Sequence, residues 1–162
     1  MRVSFCIPTH DGNARCQNYL FDIFHALSQQ TNKDFNVWIS DHSESNKVLD
    51  ACKEYADLFE INYIKNKKKY GNISANTNHA LQHADGSILK VLFSDDFILT
   101  NNLVAELDKA FTDDVHWAVT GYAHTVDDGH THYNPKIPYH NDKLLEGCLL
   151  YTSDAADEGG GG

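Results

Sequence analysis

Asp95 and Asp96 are adjacent carboxylates that end the apolar run Ile-Leu-Lys-Val-Leu-Phe at 88–93. Two like charges at a buried strand end repel each other. A hard divalent cation relieves that repulsion: Mg²⁺ or Mn²⁺ takes oxygen ligands and is held by one or two carboxylates together with substrate phosphates. The pair also reads as a solvated loop in which one aspartate caps the next helix. Two other polar clusters end apolar runs in the same way, Pro8-Thr9-His10-Asp11-Gly12 and Asp41-His42-Ser43-Glu44-Ser45. One such cluster alone is an ordinary cap or turn. Three at the same edge of one sheet are harder to dismiss as turns.

A scaffold must bring those strand ends together, and the residues between them provide it. Strands are expected at 2–7, 36–40, 60–65, 88–93 and 117–123, and helices at 17–30, 46–57, 72–84 and 101–111. Leu20, Ile23, Phe24 and Leu27 form one stripe at helical spacing. Val48, Leu49, Cys52 and Ala56 are expected to face inward from the second helix. The run at 88–93 suits a strand buried on both faces of a parallel sheet. Asp85-Gly86 is expected to stop the third helix, the glycine taking the left-handed conformation. Thr100 is expected to cap the fourth helix, and Asp127-Asp128-Gly129 reads as a hairpin turn. Repeated strand–helix units imply an α/β fold: a mostly parallel, Rossmann-like sheet flanked by helices and joined by right-handed crossovers. Ligands of such sheets bind in the crevice beyond the carboxyl ends of the strands.

The chain has 162 residues with a formal charge of -10. That charge argues against bulk nucleic-acid binding, which needs a basic face. No apolar run is long enough to span a membrane, and residues 1–8 read as a strand, too short for a signal peptide. Cys6, Cys16, Cys52 and Cys148 form no CxxC pair, which fits a reducing compartment; a cytoplasmic location is expected, including the periphery of a membrane. His130-Thr131-His132 lacks the cysteine or HExxH partners of a zinc site and reads as exposed hairpin histidines. The segment from Cys148 to Glu158 resembles a translated sequencing adapter, and Gly159 to Gly162 a translated poly-G end. The domain is therefore expected to span 1–147, with 148–162 a non-native tail.

Taken in order, these motifs resemble family 2 glycosyltransferases of the GT-A fold. Pro8-Thr9-His10-Asp11 is similar to the family's opening Pro-Thr-Tyr-Asn, and Val37-Trp38-Ile39-Ser40-Asp41-His42-Ser43 to its second strand and acidic end. Gly71-Asn72-Ile73-Ser74-Ala75-Asn76-Thr77-Asn78 followed by Ala84-Asp85-Gly86 resembles its glycine, Ala-Arg-Asn and Ala-x-Gly pattern. Ser94-Asp95-Asp96 stands at its Asp-x-Asp metal motif. The resemblance runs from Val3 to about Phe111.

The resemblance implies transfer of a sugar from a nucleotide-diphosphate sugar, most commonly a UDP-sugar, to a glycan or lipid-linked hydroxyl acceptor in polysaccharide biosynthesis. The transfer is expected to be inverting and to depend on Mn²⁺ or Mg²⁺. It also implies roles. His10 stacks on the base, with Pro8 and Thr9 shaping its loop. Asp41 contacts the base, with His42 in the place of a second acid. Asn76 lies on a helix bordering the nucleotide. Asp95 binds the ribose or supports the metal, and Asp96 ligates it. The metal neutralises the departing diphosphate as a Lewis acid. The general base is expected beyond residue 162, so the fragment alone is expected to be inactive. Thr77 replaces an arginine, with Lys67, Lys68 or Lys69 able to compensate, although that run also reads as a solvated loop. A nucleotidyltransferase would carry a glycine-rich basic loop after the first strand, where this chain has Gly12 and Arg15. A non-catalytic nucleotide- or glycan-binding module is the other alternative, left open by the substitutions at 10, 42 and 77.

Overall fold

The structure is a computed structural model, and it describes residues 1–12, 15–67, 72–120, 124–125 and 132–133. The unit Met1–His116 contains β1 (Val3–Thr9), α1 (Cys16–Ser28), β2 (Phe35–Asp41), α2 (Lys47–Tyr55), β3 (Ile61–Lys65), α3 (Ile73–His83), β4 (Ile88–Val91) and α4 (Leu103–Ala110). Its four strands lie in the order β3-β2-β1-β4, and every neighbouring pair is parallel. In the second unit, β5 (His124–Thr125) and β6 (His132–Tyr133) pair antiparallel, with Asp127-Asp128-Gly129 between them but outside the described residues.

The order of the strands follows from the connections. The chain steps outward from β1 to β2 to β3, then crosses back to place β4 on the other side of β1. Right-handed crossovers then put α1 and α2 on one face and α3 on the other. Accordingly α1 packs against α2, while α3 covers β1 and β2. All seven residues of β1 are buried, as expected for a central strand covered on both faces. Phe24 meets Tyr55 at 5.4 Å and Phe35 meets Phe59 at 5.5 Å, both tilted, and Phe5 meets Phe35 edge-on at 5.8 Å. These rings join β1, β2, α1 and α2 into one core.

Several expectations need correction. The inward stripe of α2 is Val48, Ala51 and Cys52; Ala56 is exposed and lies past the last helical residue, and Leu49 is half-buried. β4 ends at Val91, and Leu89 is 45% exposed, so β4 is not buried on both faces. It is an edge strand of the described sheet, paired there with β1 alone. Residues 117–120 form no strand; 121–123 lie outside the described residues. Thr100 is not the cap of α4: Asn102 holds that position without a side-chain bond. Gln30 does the work from a distance. Its Oε1 accepts from Val104 N at 3.2 Å, and its Nε2 donates to Thr100 O at 2.7 Å.

Gly86 is needed for a reason other than the expected one. It does not take the left-handed conformation. Instead, a Cβ there would lie 2.6 Å from Ser4 Oγ, 2.7 Å from Ser4 N and 2.9 Å from Arg2 O. The chain enters β4 pressed against β1, and Gly86 N donates to Ser4 Oγ at 2.8 Å. Because the obstruction is largely backbone, Gly86→Ala is expected to cost about 2 kcal/mol, read as a lowered urea midpoint by circular dichroism. An unchanged midpoint would show that the entry to β4 has room to move.

Candidate functional site

In a sheet of this order the switch point lies between β1 and β4, where the connections leave in opposite directions. A cleft of about 500 Å³ opens there. Pro8, Thr9 and His10 line it from the end of β1, His42 from the end of β2, and Phe93, Ser94 and Asp95 from beyond β4. The first turn of α1 adds Cys16 and Tyr19, and the start of α3 adds Asn72, Ile73 and Asn76. The three polar clusters thus meet as expected. β1 pairs with β4 only as far as Cys6, so Pro8 falls where β1 has outrun its shorter neighbour and a missing N–H is tolerated.

The first two clusters are stitched together. His42 N donates to Thr9 O at 2.9 Å, and Ser45 N to Asp11 Oδ2 at 3.1 Å. Hydrogen bonds from Ser45 hold the Asp11 carboxyl below its ordinary range. Behind them sits Asp41, with no exposed surface. One oxygen accepts from Ser43 N at 2.8 Å; the other accepts from Tyr63 Oη at 2.6 Å and Lys65 Nζ at 3.1 Å. Burial, followed by the bond to Asp41, pushes the Tyr63 phenol well up. Asp41 therefore braces the end of β2 and is not among the residues lining the cleft. His42 is 7% exposed and lines it, and its Nε2 has no partner in the protein.

Asn76 reaches the cleft wall but spends its amide on the frame. Its Oδ1 accepts from Ser40 Oγ at 2.6 Å and Asn66 Nδ2 at 3.1 Å. Its Nδ2 donates to Thr9 O at 3.2 Å and Ser40 O at 3.1 Å. Asn72 caps α3, accepting from Ala75 N at 2.9 Å. Thr77 turns its hydroxyl back to Ile73 O at 2.9 Å. Of the lysine run only Lys67 is described; it is exposed.

The acidic pair divides. Asp95 faces the cleft, whereas Asp96 Oδ2 accepts from Phe93 N at 2.9 Å. Asp96 is exposed as a residue, and its carboxyl folds back on its own turn. Desolvation, with a further push from Asp95, raises its pKa, while the Phe93 N–H and Lys90 oppose the rise. Desolvation in turn lowers the pKa of Lys90. Among the described residues no group of three or more His, Cys, Asp or Glu side chains could hold a metal ion. A cation carried by one carboxylate and the oxygens of a diphosphate needs no such group, and the exposed Asp95 fits that arrangement. Asp96 fits it once it releases Phe93 N–H.

Sequence reasoning missed Tyr19 and Cys16. Both lie on the stripe that continues through Leu20 and Ile23, in the turn of α1 nearest the cleft, and that position was the available signal. No helix among the described residues is long and apolar enough to cross a membrane.

The chain matches the model of glycosyl transferase family 2 over residues 4–155, running past residue 147 into the segment read as a tail. Solved structures similar to it include S. aureus TarS, at 21% identity and a TM-score of 0.59 over 67% of this chain and 19% of that one. S. aureus TarS 1–349 in complex with UDP is similar at 21% identity and a TM-score of 0.59, over 67% and 31% of the two chains. The complex with UDP-GlcNAc gives 23% identity and a TM-score of 0.56, over 68% and 30%. At such identities the likeness concerns the GT-A fold. The chain spans between 19% and 31% of the length of these solved relatives. No curated protein matches it. With the family model covering nearly the whole sequence and the sheet folded as the family folds, the chain belongs to glycosyl transferase family 2.

Proposed function

We propose that this chain is the donor-binding part of a glycosyltransferase that takes a nucleotide-diphosphate sugar, with a UDP-sugar as the favoured donor. The observation that carries this reading is the meeting of three polar strand ends in one cleft at the switch point of the sheet. The UDP and UDP-GlcNAc complexes of S. aureus TarS, which share the fold, support it. The flat faces of His10 and Tyr19 suit a base, and Asp95 suits the ribose–diphosphate end.

The charge balance favours a metal. None of the described residues lining the cleft is Lys or Arg, and Asp95 adds negative charge. A diphosphate placed there needs a cation, and Mn²⁺ or Mg²⁺ on Asp95, with Asp96 recruited from its turn, supplies it. When bound, the metal would stabilise the leaving diphosphate. Asp95 is the one carboxylate among the described lining residues, and it serves the donor. An inverting transfer therefore takes its general base from outside the cleft described here. The acceptor in this reading is a glycan or lipid-linked hydroxyl, and the free Cys6, Cys16 and Cys52 are compatible with a reaction in the cytoplasm or at its membrane periphery.

Calorimetric titration of the chain with UDP and GDP, with and without Mn²⁺, tests the proposal. Mn²⁺-dependent UDP binding is expected, weakened about tenfold or more by Asp95→Ala. Failure of a folded chain to bind either diphosphate would reject the donor-site reading. Metal-independent binding would reject the metal.

A further inference from the structure

We propose that His79 and His83 form a two-imidazole chelating site for a transition-metal dication of the Zn²⁺ and Cu²⁺ class. The site lies where α3 meets β2, and neither residue lines the cleft. The two stand four residues apart on α3, where helical side chains are neighbours. Their ring centroids are 4.7 Å apart with the planes inclined at 57°. One ion can bridge rings so placed, each metal–nitrogen bond being roughly 2.0–2.1 Å long.

The hydrogen bonds around the pair fix which nitrogen carries the proton. His83 Nδ1 lies 2.8 Å from His79 O. A carbonyl only accepts, so this Nδ1 holds the hydrogen. For His79 the chain of bonds is longer. Asn76 Nδ2 faces two carbonyls, Thr9 O at 3.2 Å and Ser40 O at 3.1 Å, which fixes the orientation of its amide. Asn76 Oδ1 is then the atom that takes the hydroxyl hydrogen of Ser40, at 2.6 Å. With its one hydrogen spent, Ser40 Oγ accepts from His79 Nδ1 at 2.8 Å. Each neutral ring therefore carries its lone pair on Nε2. An imidazole whose other N–H is held by an oxygen acceptor is prepared as a metal ligand, its orientation and basicity set by that partner. Because α3 ends at His83, a dication there also meets the negative end of the helix dipole. Imidazole suits Zn²⁺, Ni²⁺ and Cu²⁺, whereas Mg²⁺ and Mn²⁺ prefer oxygen; the ion thus differs in kind from the one proposed for the cleft. Water completes its coordination, since the exposed His83 leaves the site open to solvent.

Trp38 supplies the readout, its ring centroid lying 6.5 Å from that of His83. Cu²⁺ is titrated into the whole chain without nucleotide, at a pH above the ordinary imidazole range, and tryptophan emission is followed. Saturable quenching is expected in the wild type. His83→Gln should move its midpoint about tenfold or more, at least what the loss of an outer partner costs a metal site. His79→Gln should do the same, because chelation needs both rings. His83 is exposed, so His83→Gln should melt within about 2 °C of wild type when no metal is present. Zn²⁺ should raise the melting temperature of the wild type and leave that of His83→Gln little changed, and Mg²⁺ at the same concentration should move neither. A quenching midpoint in His83→Gln within about twofold of wild type, or Mg²⁺ acting as Zn²⁺ does, would overturn the site.

Discussion

Asp41→Ala is expected to lose about 3 kcal/mol of folding stability, the largest effect of any single change in the cleft frame. The residue has no exposed surface and its carboxylate serves three donors, one two residues along the chain and two on β3. Truncation leaves Tyr63 Oη without its acceptor and Lys65, whose side chain is 32% exposed, beside an uncompensated cavity. The ammonium keeps a bond to Ser45 O at 3.1 Å and some access to water, which keeps the loss toward the lower end of the range for a broken buried pair. A domain of this size should melt about 10 °C lower, as calorimetry can record. Replacing both members, as in Asp41→Leu with Lys65→Met, should cost less than Asp41→Ala alone, because no charge is then stranded. A single variant melting within about 2 °C of wild type would show that Asp41 does not brace the end of β2.

Asn76→Ala is expected to cost about 2–3 kcal/mol. One amide joins β1 through Thr9 O, β2 through Ser40, and the residue after β3 through Asn66. Each of those groups is buried, so none gains full hydration when the amide goes. Ser40 Oγ retains a contact with His79 Nδ1 at 2.8 Å, which limits the damage at that point. Asn76→Asp is the sharper variant. It preserves the shape and the acceptor but turns an oxygen toward two carbonyls, and it should be at least as destabilising as alanine. Urea unfolding of the three proteins checks this order. If Asn76→Asp proved as stable as wild type, the amide would not be the clamp, and a direct role toward ligand would return.

Both residues show where a sequence stops being legible. The alternation of strands and helices was readable because each element carries its own period, and the parallel sheet followed from the connections. The clustering at strand ends was readable for the same reason. What each polar side chain does there was not. Asp41 and His42 are adjacent and equally plausible as ligand contacts in a linear reading; only the pleat decides that one is enclosed by Tyr63 and Lys65 while the other forms part of the wall. Asn76 shares a buried stripe with Ala80, and a polar residue at core spacing was the hint of a clamp. Gln30 capping a helix begun more than seventy residues later left no local trace, and neither did the reason for Gly86, which lies in Ser4 and Arg2.

The place of β1 has a consequence for synthesis. Of the four strands of this sheet it is made before the others, and it is central, bounded by β2 on one side and β4 on the other. β2 follows closely, but β4 ends at Val91, fifty residues after β2 ends at Asp41. At roughly 5–20 residues per second, the wait lasts several seconds. Throughout it the nascent sheet presents an unpaired edge of Val3, Ser4, Phe5 and Cys6, the residues that β4 will later cover. An apolar open edge is what holdase chaperones and neighbouring nascent chains capture. The yield of folded protein in a cell should therefore depend on how soon β4 docks, and the contact of Gly86 with Ser4 is part of the seat that β4 then fills.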